Sequence, residues 1–165
     1  MKHEASPGSN LIGSLFDSQA RALVLYARQL CADPHDAVQQ AFLKLAEQRT
    51  APQNPVAWLY RVVRNEALMM SRANQRRLHR EACGAQAMNH WFQPSPADSL
   101  DATAAADALA TLPLDQREIV TSHIWGGLSF SEIGALIGVS DSTAHRRYQE
   151  AILSLQKSLR VPTEQ

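Results

Sequence analysis

The run Gln93-Pro94-Ser95-Pro96-Ala97-Asp98 interrupts a chain that otherwise carries helical patterning almost throughout. Prolines without a backbone donor cannot sit inside a helix or a central strand. The stretch therefore divides the 165 residues into two halves, each able to bury only a modest core. We set the boundaries at a disordered tail over residues 1–10, a first domain over 11–92, a proline-rich linker over 93–100 and a second domain over 101–161. Ala, Leu, Gln and Arg recur, and β-branched residues never form a long alternating run. Both halves are therefore expected to be helical, giving an all-α protein of two small domains.

Within the first half, Leu11, Leu15, Phe16, Leu23, Tyr26, Ala27 and Leu30 recur at helical spacing and stop before Asp33-Pro34, where a helix is disfavoured. Residues 36–48 form a second helix with Val38, Phe42 and Leu45 on one side. Pro52 and Pro55 then mark a loop, and Pro55 suits the entrance of a third helix running to about residue 80. In the second half, residues 101–110 read as an Ala-rich helix. Leu112-Pro113 opens another that ends at Gly126-Gly127.

The second half also contains Ser129-Phe130-Ser131-Glu132, the pattern of a capping box. The serine hydroxyl receives the Glu132 amide, and the Glu132 carboxylate receives the Ser129 amide. A short helix begins there, breaks at Gly138, and a last helix follows about three residues later. Two helices joined through a glycine make a helix-turn-helix. On the last helix Ala144, Tyr148, Ala151, Ile152, Leu155 and Leu159 share an arc of roughly 100° and form its buried seam. Ser142, His145, Arg146 and Gln149 project from the other side, where a recognition helix meets base edges in the major groove. The bland alternative is a helical hairpin with a solvated polar face.

Formal net charge is zero, but residues 1–93 hold 11 Lys+Arg against 7 Asp+Glu while residues 94–165 hold 5 against 9. Charge places the nucleic-acid side in the first half. There Trp58, Arg61, Arg64, Asn65, Arg72 and Arg76 fall within roughly 120° of arc on an unbroken helix. Guanidinium groups grip phosphates, and an indole or amide can engage an unstacked base, a combination suited to single-stranded DNA. A solvated cationic face with a half-buried tryptophan is the competing explanation. In the second half the acids lie mostly between 98 and 118. Residues 142–160 set Arg146, Arg147, Lys157 and Arg160 against Glu150, a locally basic surface.

These blocks together resemble the extracytoplasmic-function class of sigma factors, which keep the second and fourth conserved regions of the housekeeping sigma family. The resemblance runs from about residue 11 to 160. It rests on Asp36-Ala37-Val38-Gln39-Gln40-Ala41-Phe42-Leu43-Lys44-Leu45, on Pro55-Val56-Ala57-Trp58-Leu59-Tyr60-Arg61-Val62-Val63-Arg64-Asn65, on Leu112-Pro113-Leu114-Asp115-Gln116-Arg117-Glu118 and on residues 128–147. It implies that Asp36, Gln39 and Gln40 dock on the clamp helices of the polymerase largest subunit. It further implies that residues 49–54, with Asn54, and the following helix, with Trp58, Arg61, Arg64, Asn65, Arg72 and Arg76, capture the melted minus-ten element. Ser142, Thr143, His145, Arg146, Arg147 and Gln149 would then read the minus-thirty-five element. The chain departs from the family pattern at Ala144-His145-Arg146, at Glu150 and Ile152 where basic residues are common, and at Ala46 where an aromatic is frequent.

The implied partners are core RNA polymerase, promoter DNA and an anti-sigma factor, with the free protein a monomer. No stretch approaches the roughly 20 apolar residues of a membrane span, and residues 1–10 lack the order of a signal peptide, so a cytoplasmic location is expected. Cys31 and Cys83 lack metal-ligand spacing and read as free thiols. No glycine-rich phosphate loop or nucleophile–base–acid set is visible, and the six histidines, at 3, 35, 79, 90, 123 and 145, are scattered. Neither catalysis nor a metal nor a cofactor is expected. A conventional helix-turn-helix regulator with a sensing or dimerising first domain is the alternative function.

Overall fold

The computed structural model describes residues 9–81 and 107–160, apart from the side chains of residues 9, 159 and 160. The proline-rich linker, the first eight residues, Cys83 and the greater part of the Ala-rich stretch lie outside them. The chain separates into two compact units, Met1–Asn89 and His90–Gln165. Every regular element among the described residues is helical.

In the first unit α1 spans Ser9–Arg28, α2 Pro34–Ala46 and α3 Pro55–Glu81. Helix α1 starts two residues inside the stretch expected to be tail, and α2 starts two residues earlier than expected. The reason for the second shift is Pro34, which stands in the first helical turn of α2: the ring that cannot continue α1 is preorganised to start the next helix. All three helices pack on one another. Leu23, Tyr26 and Ala27 of α1, Ala37 and Ala41 of α2, and Leu59, Tyr60 and Val63 of α3 are fully buried. Tyr26 and Tyr60 meet edge to face with ring centroids 5.0 Å apart. Lys44 on α2 pairs with Glu66 on α3, whose side chain is 10% exposed.

The Tyr60 hydroxyl is buried without a hydrogen-bond partner among the described residues. Burial pushes its ionisation well above the ordinary value of 10.0. A raised folded-state value stabilises the fold fully below the unfolded value and loses that contribution as pH rises through the folded one. Stability of the first unit should therefore fall above about pH 10. Tyr60→Phe should flatten that alkaline loss and cost little at neutral pH, since it removes an unpaired polar group. Thermal unfolding of both forms between neutral pH and pH 11 checks this; an equal alkaline loss in the phenylalanine variant would contradict it.

In the second unit one helical turn at 107–110 leads into α4, Leu114–Ile124, followed by α5, Phe130–Ile137, and α6, Asp141–Arg160. Helix α4 ends just before Gly126-Gly127, as expected, and Gly127 takes φ +68°. Leu109, Leu112, Val120 and Ala151 form a core against which Tyr148 and Leu155 pack. Thr121 and Ser122 are fully buried polar residues. Their hydroxyls are satisfied by donating to the carbonyls of Arg117 and Glu118, at 2.8 and 2.6 Å.

Candidate nucleic-acid interface

The helix-turn-helix is built by three local devices. At the start of α5 the Ser129 amide donates to Glu132 Oε2 at 2.7 Å and the Glu132 amide donates to Ser129 Oγ at 3.3 Å. The capping box expected from the sequence is thus present. Gly138 ends α5 in the left-handed region at φ +79°, where a Cβ is strained. Both its amide and that of Val139 donate to the Gly134 carbonyl at 2.9 Å. At the start of α6 the Ser140 hydroxyl accepts the Thr143 amide at 3.2 Å and donates to the Thr143 hydroxyl at 2.8 Å.

Phe130 then fixes the rotation of α6. It stacks on His123 of α4 with centroids 4.4 Å apart and meets His145 and Tyr148 of α6 at 4.8 and 5.4 Å. His123 Nδ1 lies 2.7 Å from the Leu128 carbonyl. A carbonyl only accepts, so Nδ1 carries the proton. Of the scattered histidines, His123 is a packing residue.

Ala144 and Ala151 are fully buried, and Tyr148, Ile152 and Leu155 are half-buried. Ser142, His145, Arg146 and Gln149 are all exposed on the other side. Their positions match the sequence expectation. Thr143 is half-buried and bound to its cap. The charge on this surface is partly paired. Arg147 donates to Asp115 Oδ2 of α4 at 2.8 Å, and Arg146 donates to Glu150 Oε1 at 2.9 Å. Both arginines expected to face DNA are thus neutralised by carboxylates, one from α4 and one from their own helix.

In the first unit α3 is unbroken, so Trp58, Arg61, Arg64, Asn65, Arg72 and Arg76 do share one side. Arg61, Asn65, Arg72 and Arg76 are exposed, whereas Trp58 and Arg64 are half-buried. Asn54 is exposed, but its Oδ1 accepts the Ala57 amide at 3.0 Å. It caps α3, a role signalled by asparagine just ahead of Pro55, three residues before Ala57.

On α2, Asp36 and Gln39 are exposed and Gln40 is half-buried. Leu43 is 49% exposed and follows Gln39 and Gln40 at four and three residues, so it shares their face. A single exposed leucine is ordinary on a protein surface, and its position adds it to the candidate face of α2. Polar character and helical spacing, which mark Asp36, Gln39 and Gln40, do not single it out in the sequence. Among the described residues no cluster of His, Cys, Asp or Glu could hold a metal ion, and no helix is long and apolar enough to cross a membrane.

A helix-turn-helix in one small helical unit and a cationic, tryptophan-bearing helix in another define a DNA-engaging protein of two modules. Residues 15–77 match the family described as Sigma-70 region 2, and residues 103–155 match Sigma-70, region 4. The chain belongs to the sigma-70 family, as a sigma factor of the extracytoplasmic-function class. It is 26% identical to the ECF RNA polymerase sigma factor SigL of Mycobacterium tuberculosis, over 94% of this chain and 92% of that protein. It is 31% identical to the probable RNA polymerase sigma factor RfaY of Xanthomonas campestris, over 84% of this chain, and spans 37% of that relative's length. Among solved structures it resembles the sigma factor RpoE of Bartonella quintana, determined in complex with the anti-sigma factor NepR. There the TM-score is 0.73 with 27% identity, over 93% of this chain and 98% of that one. CnrH, determined with the cytosolic domain of CnrY, shares the fold with a TM-score of 0.59 at 22% identity.

Proposed function

We propose that this sigma factor works through three surfaces, with no chemistry of its own. The α2 face of Asp36, Gln39, Gln40 and Leu43 docks on core RNA polymerase. The α3 stripe, entered through residues 49–54, holds the melted minus-ten strand, with arginines on phosphates and Trp58 and Asn65 against unstacked bases. The exposed side of α6 reads the minus-thirty-five element in the major groove. The polymerase supplies nucleotide transfer, and the chain acts in the cytoplasm where polymerase and chromosome meet. The likeness to RpoE, solved with NepR, supports an anti-sigma factor as a further partner. A monomer is the expected free state, and the division into domains at 11–92 and 101–161 is the one that suits these roles. One observation carries the proposal: matches to regions 2 and 4 occur in a single chain and in that order.

Free chain should bind promoter duplex poorly, because its net charge is zero and two recognition arginines are already paired. A gel shift at physiological salt should show a specific complex only when core polymerase is added. Tight specific binding by the chain alone would favour a conventional regulator.

Asp36→Ala with Gln39→Ala should weaken polymerase binding in a pull-down while helix content stays unchanged. Both side chains are exposed on α2, so truncating them removes contact without opening the core. Undiminished polymerase capture would remove the docking assignment.

Arg146→Ala should lower holoenzyme transcription and relax preference at one upstream base pair. A bidentate guanine contact is worth about 1–3 kcal/mol of discrimination. Lys157→Ala, further along α6, should weaken binding uniformly or do little. A promoter-variant panel separates these outcomes. Equal loss by Arg146→Ala on every upstream sequence would make that residue a phosphate anchor.

A further inference from the structure

The neighbouring arginines of α6 are committed in different ways. Arg147 reaches off its helix to Asp115 of α4, at 2.8 Å and with 32% of its side chain exposed. It ties two elements together. Arg146, 64% exposed, donates from Nη1 to Oε1 of Glu150 one turn further along the same helix, at 2.9 Å. An exposed pair four residues apart on one helix adds little to stability in water, and this one joins no separate elements. Its consequence lies in what Arg146 can do when DNA arrives.

A carboxylate on a DNA-facing surface repels phosphates, so Glu150 lowers affinity for every duplex alike. It also engages one edge of the guanidinium and restrains a long, rotamer-rich side chain. Arg146 then offers its remaining donors with less freedom left to lose on contact. A base edge can accept those donors while the pair persists. A phosphate gripped by Arg146 would be brought up against the Glu150 carboxylate. We infer that Glu150 is a positioning residue that makes Arg146 read a base rather than grip a phosphate, giving up affinity in exchange for sequence discrimination. This rests on the proposal that α6 reads the upstream element.

Holoenzyme reconstituted from core polymerase with Glu150→Gln, Arg146→Ala or both tests the inference on duplex promoters varied one base pair at a time. Glu150→Gln is close to isosteric and lies on the exposed face, so helix content should not change. It should raise binding to all variants by about threefold to tenfold, an effect that shrinks with added salt. The preference at the base pair read by Arg146, about tenfold in the parent, should fall below about threefold, because Glu150 acts on it through the guanidinium. In the Arg146→Ala background the same substitution should raise affinity and leave the preference profile unchanged. An unaltered preference in Glu150→Gln overturns the inference alone. So does a preference shift of equal size with and without Arg146, since Glu150 would then act independently of the guanidinium. If Arg146→Ala itself leaves every upstream preference intact, the inference falls together with the proposed orientation of α6.

Discussion

Phe42→Ala should destabilise the first unit by about 3–5 kcal/mol, the cost of removing an aromatic side chain from a packed core. Phe42 is 7% exposed and stands on the inward side of α2 with the buried Val38 and Leu45, in a unit with little core to spare. Phe16 meets its ring edge to face, with centroids 5.2 Å apart, but is itself 53% exposed. Phe16→Ala should therefore cost much less, within the roughly 0.5–1.5 kcal/mol that an aromatic pair adds. Leu43→Ala, one residue along and pointing outward, should hardly change stability and should instead weaken polymerase binding. Thermal unfolding of the full chain reads all three. A loss below about 1 kcal/mol for Phe42→Ala would show that its cavity is refilled or that the core is not packed as described.

Adding a single methyl group at Gly134 should damage the second unit, by about 1–3 kcal/mol if the turn must yield. A Cβ there would stand 2.7 Å from the Val139 carbonyl oxygen and 3.2 Å from both the Asp141 nitrogen and the Ser140 carbonyl carbon. All three are backbone atoms of the turn, so no side chain can swing aside. Gly134→Ala would push α6 away from α5, and transcription that depends on the upstream element should fall steeply. Gly13, inside α1, supplies the opposite case, since its Cβ would meet nothing within 4 Å. Gly13→Ala should stabilise by about 0.5–1 kcal/mol through the higher helix propensity of alanine. A Gly134→Ala protein with the parent's stability and promoter preference would contradict the close approach.

What could be read along one helix was legible in the sequence. The Ser129–Glu132 box, the Gly138 turn, the Pro55 entrance and the buried seam around Ala144 and Ala151 all follow from spacings within a few residues. The structure departs from that reading where a partner sits on another element. Nothing in the spacing of residues 142–160 tells that Asp115 will take Arg147, or that Phe130 will stand between His123 and His145. Both depend on how three helices dock. Gly134 is similar, because its need for glycine arises from the chain returning over it after the turn. Other features were within reach of the sequence. The Arg146–Glu150 pair has the four-residue spacing of helical ion pairs, and Asn54 ahead of Pro55 has the form of an N-cap. Arg146 and Asn54 suit a DNA-facing role equally well by residue type, so spacing alone does not choose between the two roles.

Transcription in vitro should show this chain giving core polymerase its promoter choice. Core polymerase would be supplied with a genomic fragment library, with and without the chain, and the transcript starts mapped. Addition of the chain should produce discrete starts preceded by one shared pair of upstream and minus-ten sequences, and the Asp36→Ala, Gln39→Ala protein should produce few of them. A start pattern identical to that of core polymerase alone would contradict the account.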